Sequence, residues 1–353
     1  MLREIWIGAH LINDASPAFV VAEIGTNHGG DLERAKQLIT AAAECGCDAV
    51  KLQKRDNKNI FTSEIYNQPY NSENSYGLTY GEHREALEFG LMEYVALRQY
   101  AQKIGILLFA SVFDVASAGV LDTSDNPAFK IASGDLTNIP LIRYVAGLHR
   151  PVIVSTGGGT IADVQRVYDE VPHDHLVLLQ CTSSYPVEPA EMNLRVIETY
   201  RNMFPDVVIG LSDHYDGIAM AGVAYTLGAR VFEKHFTLNH TWKGTDQVFS
   251  LEPEGMKRMV RDLNRTRDAL GTGKKQRYLS EDRPLYKMAK SLVAARSLPK
   301  GHLLTADDIA IKSPGGGLPP YLLDGFIGAY LFHDLAQDAL LDQNDVYHVD
   351  EGD

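Results

Sequence analysis

Cysteine, tryptophan and long apolar runs are all scarce in this chain. Its three cysteines among 353 residues, Cys45, Cys47 and Cys181, cannot build a disulfide framework, and without a Cys-x-x-Cys pair they suggest no zinc cluster. No uncharged stretch approaches the roughly 18 residues of a membrane helix. The longest candidate, Gly217 to Ala229, is only as long as an ordinary helix. The first ten residues mix acid and base with no apolar core, so no secretory signal is expected and a reducing, cytoplasmic setting is. Positive charge is short too. Against 46 Asp and Glu stand 33 Lys and Arg, a formal net charge of −13, which argues against a nucleic-acid or membrane-surface partner. Nearly half of that excess gathers after Gln337, where Asp338, Asp342, Asp345, Asp350, Glu351 and Asp353 meet no Lys or Arg. An acidic total does not exclude an anionic substrate, because a site needs only a few local cations.

What the chain does have is rhythm. Eight short apolar runs rich in Val, Ile and Phe follow one another: AFVVAEIG (18–25), AVKLQ (49–53), ILLFASVF (106–113), AFKIAS (128–133), PVIVSTG (151–157), LVLLQC (176–181), VVIGLSDH (207–214) and RVFEKHF (230–236). Their near-continuous apolar character is that of parallel strands covered on both faces. Amphipathic stretches lie between or after them, such as LERAKQLITAAAECG (32–46), MEYVALRQYAQKIG (92–105) and EGMKRMVRDLNRTRDALG (254–271), several stopping at a Gly. Eight such units over roughly 250 residues predict an α/β fold, a (β/α)8 TIM barrel, spanning 1–272. The competing doubly wound sheet would want a GxGxxG after the first strand, and none is present. From Lys54 to about Glu82 a polar insertion with five aromatic residues breaks the rhythm and reads as a functional loop or lid. Residues 273–286, charged and interrupted by Pro284, read as a linker, and 287–353 as a small β-rich domain.

Barrels of this kind place chemistry at the C-terminal ends of their strands. Those ends carry Glu23, Lys51, Gln53, Ser111, Lys130, Ser133, Ser155, Thr182, Ser183, Tyr185, Ser212, His214, Glu233 and His235, a concentration of polar groups that packing does not explain. Lys51 and Lys130 sit in apolar runs, so each must face the barrel mouth or pair with a buried acid such as Glu23 or Asp135. Facing the mouth, they can grip a phosphate or carboxylate, with Ser111, Ser133, Ser155 and Ser212 donating to the same anion. Lys130 is also a candidate Schiff-base nucleophile. His214 and His235 close adjacent strands and can share a divalent ion, Mn²⁺ or Mg²⁺ with oxygen ligands or else zinc. Glu233 and Asp246 lie near them in sequence, and Glu23 is a candidate general acid or base.

The motifs AEIGTNHGG (22–30), KLQ (51–53), KIASGD (130–135), STGGG (155–159), QCTSSYP (180–186), IGLSDH (209–214), EKHFTL (233–238) and TWKGTDQVFSLEP (241–253) occur in this order. Together they resemble the sialic acid synthase family. The final module resembles that family's small antifreeze-like (SAF) domain. The resemblance implies metal-dependent condensation of phosphoenolpyruvate with an N-acetylmannosamine-type aldose, free or 6-phosphorylated, to a nonulosonic acid and phosphate by C–O cleavage. It implies that Lys51, Ser111, Lys130, Ser133, Ser155, Ser183 and Ser212 hold phosphoenolpyruvate and that His214 and His235 hold the metal. Glu23, Gln53, Tyr185 and Asp246 would surround the sugar and the reacting centre. Head-to-tail homodimers, in which each small domain caps the partner's barrel, are implied as well.

Three departures matter. Ser111 stands where the family often has Thr, Ser183 where many members have Asn, and Ser313 where bacterial free-sugar synthases carry an arginine toward the acetamido group. TYGEHREALEF (79–89) and TWKGTD (241–246) resemble instead the animal-type branch that uses a 6-phosphorylated sugar. Lys54, Arg55, His83 and Lys243 are candidate cations for such a phosphate, or else a solvated surface. Synthases of legionaminate, pseudaminate or KDN type, a Schiff-base aldolase, and a carbohydrate- or ice-binding protein remain the alternatives.

Overall fold

Parallel strands and the helices that return the chain between them account for most of the molecule, whose computed structural model describes residues 3–349. The acidic residues Asp350, Glu351 and Asp353 lie outside that range. After an antiparallel hairpin, β1 (Glu4–Ile7) and β2 (His10–Asn13), come eight strands: β3 (Phe19–Gly25), β4 (Ala49–Lys54), β5 (Leu107–Val112), β6 (Phe129–Ile131), β7 (Val152–Ser155), β8 (Leu176–Cys181), β9 (Val208–Asp213) and β10 (Val231–His235). They pair in parallel in this order, and β10 returns to β3 through the register Val231↔Phe19 to His235↔Glu23, closing the barrel. The expected (β/α)8 barrel is therefore present, strand for strand.

Period-2 alternation builds two cores from the same strands. Outward residues such as Val20, Ala22, Val50, Leu52, Ile209 and Phe232 pack against the helices, for example against Leu38 and Ile39 of α1 (Leu32–Glu44). Inward residues Phe19, Val21, Ala49, Phe109, Ala128, Ile153, Val177, Leu179, Val208 and Val231 form a second, apolar plug. The hairpin joins it through Ile5, Ile7 and Ile12. It is a feature not expected from the sequence, turned at Gly8, whose φ of 58° suits glycine.

The insertion after β4 is more regular than expected. It folds into three short helices, α2 (Asn57–Ile60), α3 (Ser63–Tyr66) and α4 (Tyr80–Glu85). Thr79 and Glu82 form a capping box at the start of α4. Aromatic contacts replace a hydrophobic core, with Tyr70 against His83 at 4.6 Å and Phe61 edge-on to Tyr80 at 5.1 Å between ring centres. Barrel helices follow in turn: α5 (Leu91–Ile104), α6 (Val115–Asp122), α7 (Ile139–Ala146), α8 (Ile161–Glu170), α9 (Val196–Met203), α10 (Ala219–Thr226) and α11 (Pro253–Leu270). Among the described residues no helix is long and apolar enough to cross a membrane.

The chain divides into two compact units at Gly271/Thr272. In the second, α12 (Asp282–Met288) occupies the stretch read as a linker. Pro284 falls in its first turn, where a missing N–H removes no helical bond, so the residue read as a break is tolerated. Two-stranded pairings then organise the C-terminal unit, including β11 (Ser291–Ala294) with β12 (Ile309–Lys312), around Leu292, Leu298, Leu304, Phe326, Leu331 and Leu341. Its buried polar centre is Asp308. One carboxylate oxygen takes Arg296 Nη2 at 2.7 Å. The other takes His302 Nε2 at 2.9 Å, the Thr305 amide at 2.9 Å and its hydroxyl at 2.7 Å.

Two buried ion pairs or networks generate stability predictions. Burial alone would raise the Asp308 carboxyl, but His302, Thr305 and Arg296 outweigh it and hold it well below the usual carboxylate range. A carboxyl lowered on folding stabilises the folded state above its unfolded pKa of about 3.9 and loses that contribution as pH falls below it. The hydrogen-exchange protection of residues 291–349 in the full chain, taken relative to the intrinsic rate at each pH, should therefore fall between about pH 4.5 and about pH 3 in the wild type, the window set by that reference value. Asp308→Asn should show fast exchange already at pH 7; equal protection in wild type and variant would remove the assignment. On the outer face of the barrel wall, Lys234 Nζ meets Asp213 Oδ2 at 3.0 Å, both side chains buried. Lys234→Met alone should lower unfolding stability by roughly 3–5 kcal/mol, because it strands a buried carboxylate. The double variant Lys234→Met, Asp213→Asn should recover most of that loss in denaturant titration.

Candidate active site

The inward alternation that makes the apolar plug continues two or four residues further along each strand, where it ends at Cys181 on β8 and turns polar on the other seven. Val21 gives way to Glu23, Ala49 to Lys51 and Gln53, Phe109 to Ser111, Ala128 to Lys130, Ile153 to Ser155, Val208 to Ser212, and Val231 to Glu233 and His235. Each side chain is thus aimed into the barrel mouth by the same pleat that aims its predecessor into the core. The result is a cavity of about 250 Å³ whose walls include all of these polar residues together with Ser133, Tyr185, His214 and Asp246.

Its floor is a cluster of buried charges. Lys51 Nζ lies 2.7 Å from Glu23 Oε2 and 3.7 Å from Glu233 Oε2, and donates to Ser111 Oγ at 2.7 Å. Lys130 Nζ lies 3.8 Å from Glu233 Oε1 and donates to the Ile131 carbonyl at 3.0 Å. The partner of Lys130 is therefore Glu233, and Asp135 pairs with neither lysine. Facing the mouth and pairing with an acid prove compatible, because the acids also face inward. Burial lowers the Lys130 ammonium's pKa. Burial would also raise Glu233, but Lys130 and Lys51 prevail and keep it ionised. Glu23 goes the other way: burial, with the Glu233 charge added, raises its carboxyl despite Lys51. Two neighbouring carboxyls pushed apart in this manner suit one to carry a proton while the other stays charged.

Hydroxyls line one side. Ser212 Oγ donates to Glu233 Oε1 at 3.1 Å, whereas Ser155 Oγ is buried with no hydrogen-bond partner. Ser133 Oγ accepts the Gly157 amide at 3.0 Å. A Cβ on Gly157 would stand 2.3 Å from Ser183 Oγ and 2.8 Å from Ser133 Oγ, so only glycine lets those two hydroxyls converge over the backbone. Ser183 itself is exposed and does not line the cavity.

The two imidazoles face each other with ring centres 5.5 Å apart. His214 Nδ1 is 2.8 Å from the Thr182 carbonyl and must donate to it, so in the neutral ring Nε2 carries the lone pair. That is the orientation a metal-bound histidine adopts. Burial would lower the His214 pKa, but Cys181 and the Thr182 carbonyl outweigh it and raise it. His235 Nδ1 is buried without a hydrogen bond, 3.8 Å from Asp246 Oδ2. Burial pushes its pKa down to about 4, so the ring is neutral and able to ligate at pH 7. Among the described residues no three His, Cys, Asp or Glu are grouped to enclose an ion. The donors present fit an ion that takes its remaining ligands from water or substrate. Tyr185 covers the pair, its ring 4.2 Å from His214 and 6.0 Å from His235.

Asp246 arrives on the loop after β10, which Asn27 ties to the turn after β3. The Asn27 side-chain amide donates to the Phe236 carbonyl and to Ser250 Oγ, each at 2.9 Å, and the Asn27 backbone carbonyl accepts Gln247 Nε2 at 3.0 Å. The insertion is tied to the same loop by Tyr76 Oη donating to the Lys243 carbonyl at 2.8 Å, and by Asn74 accepting the Gly244 amide at 3.0 Å.

Of the four cations considered for a second phosphate, Arg55 alone lines the cavity. Lys54 is spent on Glu88 at 3.1 Å, His83 is buried and accepts the Tyr76 amide, and Lys243 lies over the Tyr76 ring at 4.7 Å. The cavity also includes Arg84, Phe113, Cys181 and Thr245, which sequence reasoning missed. For Phe113 and Cys181 the period-2 count was available; for Arg84, four residues beyond Tyr80 on α4, only the fold brings the helix to the mouth.

The comparisons with known proteins converge. The NeuB family model matches residues 38–275 and the SAF domain model residues 289–346. The chain is 40% identical to the human N-acetylneuraminate-9-phosphate synthase, over 92% of this chain and 89% of that protein. It is 31% identical to the N,N'-diacetyllegionaminic acid synthase of Campylobacter jejuni, over 91% and 98%. A crystal structure of N-acetylneuraminic acid (sialic acid) synthetase from Leptospira borgpetersenii in complex with citrate superposes with a TM-score of 0.71 at 32% identity, covering 80% of this chain and 95% of that one. With its closed barrel and its polar strand ends, the chain is an enzyme that belongs to the NeuB family, the sialic acid synthases, and it carries a SAF domain at its C-terminal end.

Proposed function

We propose that the chain is a C–C bond-forming transferase that condenses phosphoenolpyruvate with an N-acetylmannosamine-type aldose, in its 6-phosphorylated form. The products would be a nonulosonic acid 9-phosphate and inorganic phosphate. The observation that carries this reading is one cavity in which two buried lysines and a set of inward hydroxyls stand beside two imidazoles with free ring nitrogens. The higher identity to a 9-phosphate synthase than to the diacetyllegionaminic acid synthase, 40% against 31%, supports the phosphorylated sugar.

In this mechanism Lys51, Lys130, Ser111, Ser133, Ser155 and Ser212 hold the phosphate and carboxylate of phosphoenolpyruvate and neutralise them. Ser183, outside the cavity wall, acts only through Gly157 and Ser133. Gln53, Tyr185 and Asp246 orient the open-chain sugar with its aldehyde toward His214 and His235. A divalent cation, Mn²⁺ or Mg²⁺, held by those two residues would supply Lewis acidity to the aldehyde oxygen. Carbon 3 of phosphoenolpyruvate attacks the aldehyde carbon while Glu23, whose raised pKa lets it carry a proton, gives that proton to the aldehyde oxygen. The cation left at carbon 2 takes water. Glu233, kept ionised, faces that positive charge. Glu23, left as a carboxylate by that transfer, receives a proton from the water, and the bond between carbon 2 and the phosphate oxygen breaks as the ketone forms, the remaining hydroxyl proton leaving with the phosphate. A Schiff base on Lys130 has less support, since its amine is engaged by the Ile131 carbonyl and by Glu233.

A nonulosonate of KDN type, made from a sugar without an acetamido group, is the second reading favoured by Ser313; the legionaminate and pseudaminate types, made from diacetamido hexoses, are alternatives that Ser313 does not favour. That residue accepts Lys290 Nζ at 2.9 Å and donates to the Met288 carbonyl at 3.3 Å, so no guanidinium stands at this position for an acetamido group. The assembly proposed is a homodimer, which sedimentation should report as twice the 39.0 kDa chain mass.

Phosphate release should require phosphoenolpyruvate, a divalent cation and an aldose together, with oxygen-18 from the bridging position of phosphoenolpyruvate recovered in the phosphate. His214→Ala and Lys130→Ala should each lower kcat/KM by about 10³-fold or more without loss of circular dichroism. Near-normal turnover in either variant, or borohydride trapping of substrate on Lys130, would overturn the mechanism. A screen across N-acetylmannosamine, its 6-phosphate, mannose 6-phosphate and diacetamido hexoses identifies the sugar.

A further inference from the structure

Two guanidiniums at the cavity mouth have no role in the chemistry above. Arg55, just past β4, has a side chain only 9% exposed. Its guanidinium lies on the Phe113 ring, 3.8 Å from the centroid, and Nη2 donates to Gln53 Oε1 at 2.5 Å. Nη1 is buried and makes no hydrogen bond. The one acid in reach, Glu88 at 3.8 Å, is already engaged by Lys54 Nζ and by the Arg55 amide, each at 3.1 Å. Arg84, from α4, points Nε and Nη2 at a single neutral acceptor, Tyr80 Oη, at 3.0 and 2.9 Å, and forms no ion pair among the described residues. Burial, and next the charge of Arg84, lower the Arg55 pKa against the opposing charges of Glu88 and Glu23; the two cations thus stand close enough to repel each other. Buried guanidinium donors left unspent are costly, and an incoming anion relieves that cost.

Their position along the rim says which anion. Gln53 links Arg55 to the charged floor, its Nε2 donating to Glu23 Oε1 at 2.8 Å. The imidazoles stand at and beside β10, Glu23 on β3 and Gln53 on β4, which are neighbours in the barrel. An open-chain aldose with its aldehyde at the imidazoles would run past Glu23 and Gln53 toward Arg55 and Arg84, which line the same cavity. We infer that Arg55 and Arg84 form a subsite for the terminal phosphate of the aldose, and that this subsite selects the phosphorylated over the free sugar. Phosphate oxygens match the planar fork of a guanidinium, and the Phe113 stack holds the Arg55 plane in place. The inference rests on the condensation proposed above and assigns its second anion to named residues.

The test compares wild type with Arg55→Gln, Arg84→Gln and, as a control, the exposed Lys58→Gln. Phosphate release is measured with N-acetylmannosamine 6-phosphate and with N-acetylmannosamine, and KM is measured for phosphoenolpyruvate. Each arginine variant should reduce the kcat/KM ratio of phosphorylated to free aldose by about 10- to 100-fold, as expected for charge-assisted bonds. This loss should appear as a raised KM for the sugar phosphate, and Lys58→Gln should keep the wild-type ratio. An unchanged ratio in both arginine variants overturns the inference, and so does a rise in KM for phosphoenolpyruvate as large as that for the sugar phosphate. If the wild type releases phosphate with no aldose, the condensation itself fails. Calorimetry with N-acetylmannosamine 6-phosphate then decides the subsite separately: binding that is weakened by either arginine substitution supports it, and binding that is absent or unaffected overturns it.

Discussion

Lys51, Lys130, Glu23 and Glu233 lie within a few ångströms of one another inside a closed barrel, and the surrounding structure is organised by the need to keep them there. Charges so buried are tolerable only when paired and hydrogen-bonded. Ser111, Ser212, Gln53 and the Ile131 carbonyl complete that pairing at 2.7–3.1 Å. Beneath the cluster the inward residues are apolar, and the hairpin contributes Ile5, Ile7 and Ile12 to the same layer. The charged groups thus rest on a packed floor and open only toward the mouth. An anion entering from that side meets lysines already held in place, so little reorganisation accompanies its capture.

The same strands carry an opposite device on their outer faces. Asp213 and Lys234 alternate with Ser212, His214, Glu233 and His235, and their ion pair joins β9 to β10 behind the wall. Because side chains alternate strictly along a strand, a shift of one residue would exchange inner and outer sets. The outward pair and the inward imidazoles therefore specify one register between them. At the mouth, order comes from loops instead. Asn27 binds the β3 turn to the β10 loop, and Tyr76 and Asn74 bind the insertion to that loop.

Legibility in the sequence follows these differences. The eight strands, their polar ends and the pairing of His214 with His235 could be read because they depend on a local period and on strand order. The hairpin was missed because four-residue strands such as Glu4–Ile7 carry too few alternations to stand out. The insertion read as irregular because its order lies in contacts among aromatic side chains far apart along it. Pro284 read as a break because its effect depends on whether it falls in the first turn of a helix or later. Ser183 read as a cavity residue from its motif, yet the chain turns it over Gly157 and out of the wall.

The amino-acid sequence alone determined the barrel, the appended module and the set of strand ends facing the mouth, since each follows from periodicity and hydrophobic pattern along a few residues. Only the tertiary structure decided which charges pair. Lys130 meets Glu233, a hundred residues away in the chain, while Asp135, five residues away, does not take part. It also decided that Lys54 is neutralised by Glu88 whereas Arg55 and Arg84 keep donors to spare. Charge pairing depends on distances of a few ångströms across strands and loops, and the closing of the barrel sets those distances.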